Sequence, residues 1–194
     1  MPRSTTPLPN QLTGTGTVAR PYASPDVGIS SSIGQGDRKT STDVSNPQSI
    51  QESLYPETTC FGCGHANPDG FHLRSYREGD VTVAEFIPRP EHDNGFGFLN
   101  GGIISTVLDC HGAAVVMWEA AARGWDAPPG APVPFITAGF EVRFLRPTPL
   151  GPAVHLTASP VSVEEDQIVV QAALEFEGKV RANMTADWRR FRPR

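Results

Sequence analysis

Asn100-Gly101-Gly102-Ile103-Ile104-Ser105-Thr106-Val107-Leu108-Asp109-Cys110-His111-Gly112-Ala113-Ala114-Val115-Val116-Met117-Trp118 is the segment on which the reading of this chain turns. Its apolar and small residues follow helical spacing without keeping to one stripe, which describes a helix apolar nearly all round. Such a helix needs cover on more than one side. Gly112, Ala113 and Ala114 favour close approach of another backbone. Asp109 stands there as an isolated carboxylate, and desolvation penalises its charge unless a partner or a substrate compensates. The helix is expected to run from Gly101 to about Arg123, with Gly124 as its stop signal.

Working outward, a Gly-rich loop from His92 to Asn100 leads into the helix. Before it, Val81 to Ile87 reads as a short strand ended by Pro88 and Pro90. Residues 51 to 80 carry Cys60-Phe61-Gly62-Cys63-Gly64 and Asn67-Pro68-Asp69-Gly70, which read as consecutive turns at the edge of the folded domain. Beyond the helix, Asp126 to Pro134 is a proline-rich connection, after which the period changes to two. Phe140, Val142 and Phe144 alternate with polar residues, as do Val154, Leu156 and Ala158, then Ile168 to Phe176, then Val180 to Trp188. Glu177-Gly178 suits a tight hairpin and Glu164-Glu165-Asp166 a second reversal. The expected fold is α+β: one long central helix wrapped by a curved antiparallel sheet of five to six strands. A partner subunit would supply the remaining cover.

With 194 residues, 38% of them hydrophobic, the chain can bury one ordinary core. Residues 1–50 are rich in Ser, Thr, Pro and Gly and read as a disordered tail; residues 51–194 read as the folded domain. A formal net charge of -5 argues against nucleic acid as a partner, and Arg189, Arg190, Arg192 and Arg194 read as a solubilising terminus. No membrane span is expected, because the longest apolar run is interrupted by Asp109, His111 and Glu119. Three cysteines form no even disulfide framework and, without a secretory signal, fit a cytoplasmic location. Arg3 and Arg20, with no acid before Asp26, supply the alternative of organelle import through the tail, and the proline-rich tail could also tether a partner.

Asn94-Gly95-Phe96-Gly97-Phe98-Leu99-Asn100-Gly101-Gly102, Asp109 eight residues after Gly101, and Phe144-Leu145-Arg146-Pro147 together resemble the hotdog-fold acyl-CoA thioesterases of the phenylacetate-pathway and human thioesterase-superfamily type. The resemblance covers roughly residues 55 to 190, and the Cys60-to-Cys63 and Asn67-to-Gly70 turns resemble the opening segment of many members. It implies a hotdog fold, acyl-CoA or carrier-bound acyl substrates, a homodimer or dimer of dimers, and no cofactor. Residue by residue, it implies that Asn94 is the loop asparagine, Gly101 the oxyanion-hole glycine, Asp109 the helix acid, and Thr137 the hydroxyl that helps position the attacking water. Asn100 and Gly102 are assigned to substrate binding. Asn100 departs from the family pattern, which has His directly before Gly-Gly; Asn donates a hydrogen bond but carries no charge near neutral pH.

Thioester hydrolysis needs donors aimed at the developing oxyanion and a base or nucleophile near the carbonyl carbon. Free N–H groups at the helix start, around Gly101 and Gly102, supply donors reinforced by the helix dipole. Asp109 is then a general base for water or a nucleophile. Eight residues of helix separate it from Gly101 by about 12 Å along the axis, too far to serve one carbonyl. The expected site therefore joins the helix start of one subunit to Asp109 of another.

Each residue also has a plainer reading. Asp109 could pair with Arg143 or Arg146, Gly101-Gly102 could merely admit tight packing, Asn94 could be a turn residue, and Thr137 could be an ordinary strand residue. His111 reads as a core or interface histidine and Cys110 as a small core residue. Cys60 and Cys63 with His65 and His72 match no standard zinc spacing, so no metal is expected. The competing functions are a hotdog dehydratase or hydratase, against which Asn100 counts, and a non-catalytic acyl-binding or assembly module, which Asn100 favours.

Overall fold

The structure, a computed structural model, describes residues 48–192. The expectations of a disordered tail, of organelle import and of tethering by the tail fall on residues outside that range. Residues 48–50, on the tail side of the expected boundary, belong to the folded part. Ser49 caps the short helix α1 (Ile50–Leu54), its Oγ accepting from Glu52 N–H while the Glu52 carboxylate accepts from Ser49 N–H. Ile50 and Gln51 are buried.

Six strands follow: β1 (Ser75–Glu78), β2 (Val81–Phe86), β3 (Phe135–Phe144), β4 (Val154–Val163), β5 (Gln167–Phe176) and β6 (Lys179–Arg190). They form one sheet in the order β1-β2-β4-β5-β6-β3, every neighbour antiparallel. The β5–β6 hairpin turns on Glu177 and Gly178, both with positive φ (52° and 66°), the backbone of a two-residue turn whose twist matches the strands. β1, four residues long, was not anticipated from the alternation pattern.

The long helix α2 (Gly101–Ala122) runs unbroken and touches β2, β3, β4, β5 and β6. One helix meets five strands only if the sheet wraps round it. Val107, Leu108, Val115 and Val116 are fully buried against Leu156, Ile168, Val170 and Leu174, each such side chain contributing about 1.5–3 kcal/mol. Gly112 allows the close approach: a Cβ there would stand 3.2 Å from Met184 Cε. By length and composition, with a mean hydropathy of 1.3, α2 would suffice to cross a bilayer, contrary to the expectation that its polar residues disqualify it. In the fold, half of that apolar window is buried inside the protein.

Two features place the site. β3 is an edge strand whose other edge pairs with no strand among the described residues, and it carries exposed Ile136, Phe140 and Phe144. His111 lies wholly in the core, as expected, inside a polar relay. Its Nδ1 accepts from Ser75 Oγ (2.9 Å), its Nε2–H donates to Thr82 O (3.1 Å), and Ser75 Oγ accepts in turn from Gln51 Nε2 (3.1 Å).

Candidate active site

Asp109 lies on the one incompletely covered stripe of α2. Gly102, Ser105, Thr106, Asp109 and Ala113, spaced three and four apart, are exposed or half-buried, whereas the flanking Leu108 and Cys110 are buried. The acid is thus less enclosed than its neighbours in sequence suggest. Thr137 Oγ1 donates to Asp109 Oδ1 at 3.0 Å. Thr137 sits where the β3–β6 register shifts between Thr137 and Gly139, an irregularity of the kind that re-aims a side chain. Burial raises the Asp109 carboxyl above its ordinary range, the Thr137 hydroxyl pulls it partly back, and negative charge on Cys60 adds to the rise.

The arginines that could have neutralised Asp109 are engaged elsewhere. Arg143 pairs with Glu141 at 2.8 Å, and Arg146 donates to Val180 O at 2.8 Å. The salt-bridge reading of Asp109 fails for both.

At the other end, Asn100 caps α2, its Oδ1 accepting from Gly102 N–H at 2.8 Å. The Gly102 donor is therefore occupied. Gly101 N–H, like Ile103 N–H, has no hydrogen-bond partner among the described residues and is a free donor at the helix start. A Cβ at Gly101 would meet the Phe144 ring at 3.3 Å, and one at Gly102 would meet Asn100 Oδ1 at 3.1 Å. In the preceding loop, Asn94 Oδ1 accepts from Phe96 N–H (2.9 Å) and Asp93 Oδ1 from Gly97 N–H (2.9 Å), with Gly95 and Gly97 at φ of 88° and 82°. These bonds fix the Asn94 side chain by its carbonyl oxygen, and its amide N–H groups have no partner among the described residues.

Two half-sites result. Asp109 and Thr137 come together; Asn94, Asn100, Gly101 and Gly102 gather at the helix start, about 12 Å away along the axis. Of the aromatic residues that could line an acyl pocket, Phe135 is fully buried and packs on Trp125, so it belongs to the core. Phe96, Phe98 and Trp118 stay exposed. A separate open groove, lined by Arg74, Tyr76, Glu85 and His155, crosses β1, β2 and β4 and reaches neither half-site.

The cysteines gave no signal of what they do in space. The sulfurs of Cys60, Cys63 and Cys110 lie within 4.8 Å of one another, while His65 bonds Arg74 and His72 bonds the Asn67 carbonyl. The contact with Cys110 first, and with Cys63 second, pulls the Cys60 thiol down to about 2, while the contact with Cys60 pushes the Cys110 thiol up.

One long helix against a six-stranded antiparallel sheet is the hotdog fold, and solved structures share it. A phenylacetic acid degradation-related protein of Ralstonia eutropha JMP134, provisionally described as a thioesterase, matches at 19% identity and a TM-score of 0.55, over 73% of this chain and 99% of that one. The PaaI protein of E. coli, from its phenylacetic acid degradation operon, matches at 16% identity and a TM-score of 0.50, over 62% and 84%. The smu.793 protein of Streptococcus mutans UA159, solved with acetyl CoA bound, matches at 18% identity and a TM-score of 0.50, over 63% and 90%. The chain thus has the hotdog fold, which it shares with the phenylacetic acid degradation-related protein and with PaaI. No protein-family model and no curated protein sequence matches it.

Proposed function

We propose that this protein hydrolyses acyl-CoA or other carrier-bound thioesters, using sites built between two copies of the chain. The observation that carries the reading is the Thr137–Asp109 hydrogen bond on the open stripe of α2, with no cation bonded to the carboxylate among the described residues. A carboxylate oriented by a hydroxyl and open on one side is placed to take a proton from water. The acetyl CoA bound to the Streptococcus neighbour supports a CoA thioester as ligand.

In this reading the thioester carbonyl rests at the helix start, where Gly101 N–H and the dipole of α2 stabilise the oxyanion. Asn94, its carbonyl oxygen fixed by Phe96 N–H, offers an amide N–H to the substrate or water. Asp109 of the second copy removes a proton from water as the water oxygen adds to the carbonyl carbon. The tetrahedral intermediate then collapses, the C–S bond breaks, and the thiolate takes up a proton. Asp109 acting as the nucleophile, through a transient anhydride, leads to the same products.

The second copy is required by the separation of the half-sites, and β3 offers it a docking edge. Ile136, Phe140 and Phe144 are exposed on an unpaired strand, the kind of edge that proteins cover by pairing. A homodimer or a dimer of dimers follows.

The test is release of free thiol from acyl-CoAs of increasing chain length, by wild type and Asp109→Asn. Turnover of at least one thioester is expected, with a loss of about 10²–10⁴-fold in the variant and an unchanged melting temperature. Retention of full activity by Asp109→Asn would remove the mechanism. Binding of acyl-CoA without release of thiol would instead establish the acyl-binding module, which Asn100 favours because its side chain is spent on capping its own helix.

A further inference from the structure

The turn Cys60 to Gly64 meets α2 at three free thiols. Their sulfurs all lie within 4.8 Å of one another, and Cys60 and Cys110 are 3.7 Å apart. Tetrahedral zinc–thiolate bonds of about 2.3 Å place neighbouring sulfurs about 3.8 Å apart, so this pair already has the spacing of two corners of such a site. Core packing accounts for buried Cys110 and for Cys63 against it, but not for Cys60, which is exposed.

The turn is shaped around the sulfurs. Gly64 N–H closes the turn on Cys60 O at 2.7 Å. A Cβ at Gly64 would stand 2.4 Å from Cys60 N, and a Cβ at Gly62 would stand 2.3 Å from Cys110 Sγ. Glycine at 64 permits the turn, and glycine at 62 admits the third thiol. No other His, Cys, Asp or Glu atom joins the cluster among the described residues. Three protein ligands with one position left over is the composition of an open zinc site.

We propose that Cys60, Cys63 and Cys110 bind one thiophilic divalent ion of the zinc class through three thiolates, with water in the fourth position. Each thiol that binds gives its proton to solvent as its sulfur lone pair forms the metal–sulfur bond, and no oxidation state changes. The ion clips the turn to α2 one residue from Asp109. The site stands independently of the hydrolase reading.

The experiment is a cobalt(II) titration of the reduced, chelator-treated full chain under nitrogen. Expected are one cobalt per chain, a near-ultraviolet thiolate-to-cobalt band, visible bands of four-coordinate intensity, and displacement by one equivalent of zinc. Cys60→Ser, at an exposed position that leaves the core intact, should weaken binding on the order of a hundredfold and shrink the thiolate band. Cys63→Ser should do the same. A spectrum no different from aqueous cobalt, or a wild-type spectrum that survives in Cys60→Ser, would overturn the site.

Discussion

At the scale of single residues, the argument rests on what Asp109 touches. Among the described residues the Thr137 hydroxyl is its one hydrogen-bonding side chain, and a hydrogen bond to a charged group is worth about 1.5–3 kcal/mol. If that bond orients the carboxylate for catalysis, Thr137→Val should lower kcat by about 10–100-fold while KM changes little. Thr137→Ser, which keeps the hydroxyl, should restore most of the rate. Equal losses in both variants would show that Thr137 matters only as a strand residue. The acid was legible in the sequence because a carboxylate among apolar neighbours is costly at any fold. That it faces an open stripe was not, because helical spacing fixes which residues share a face but not which face the sheet covers. Cys110 shows the same limit from the other side. Its own neighbours suit a small core residue, and only the fold carries it to the Cys60–Cys63 turn fifty positions away.

At the scale of elements, the sequence foretold the long helix, its start at Gly101 and five of the six strands, since periods of 3.6 and two persist there. It did not reveal β1, which is too short for alternation to register, nor α1, although Ser49-Ile50-Gln51-Glu52 carries the capping signature. Both are held by the Gln51–Ser75–His111–Thr82 relay, which links α1, β1, α2 and β2 through side chains unconnected in the sequence. That relay requires neutral His111, since its Nδ1 accepts from Ser75 while its Nε2–H donates to Thr82. Burial, opposed only by the Thr82 bond, lowers its pKa from 6.5 to about 4. Between those values the unfolded chain binds a proton that the folded chain refuses, so stability falls as pH falls. The stabilisation is complete above pH 6.5, and about 3 kcal/mol of it is lost by pH 4. Urea unfolding of reduced, chelator-treated protein at pH 7 and pH 4.5 should show this loss, and His111→Gln, less stable at pH 7, should show a shallower slope. Identical slopes in the two proteins would refute the assignment.

At the scale of the whole molecule, the unbroken run of α2 from Gly101 through Asp109 is what divides the site. In the proposed mechanism neither half alone holds both an oxyanion donor and a base, so the proposed activity would depend on how copies meet, which no single chain records. Complementation tests this directly. Gly101→Val crowds the helix start, where the half-exposed Phe144 ring at the end of β3 can yield without disturbing the core. Asp109→Asn disables the other half. Each variant should be nearly inactive alone while keeping the wild-type circular dichroism and oligomeric state. If each site takes Gly101 from one copy and Asp109 from the other, a hybrid dimer of the two variants contains one intact site and one doubly damaged site. Statistical reassembly of an equal mixture makes half the dimers hybrid, so the recovered activity should approach about a quarter of wild type. A site contained within a single chain has no intact copy in any dimer of that mixture and would recover nothing. Activity should rise on the timescale of subunit exchange, and cross-linking the separate homodimers before mixing should abolish the recovery.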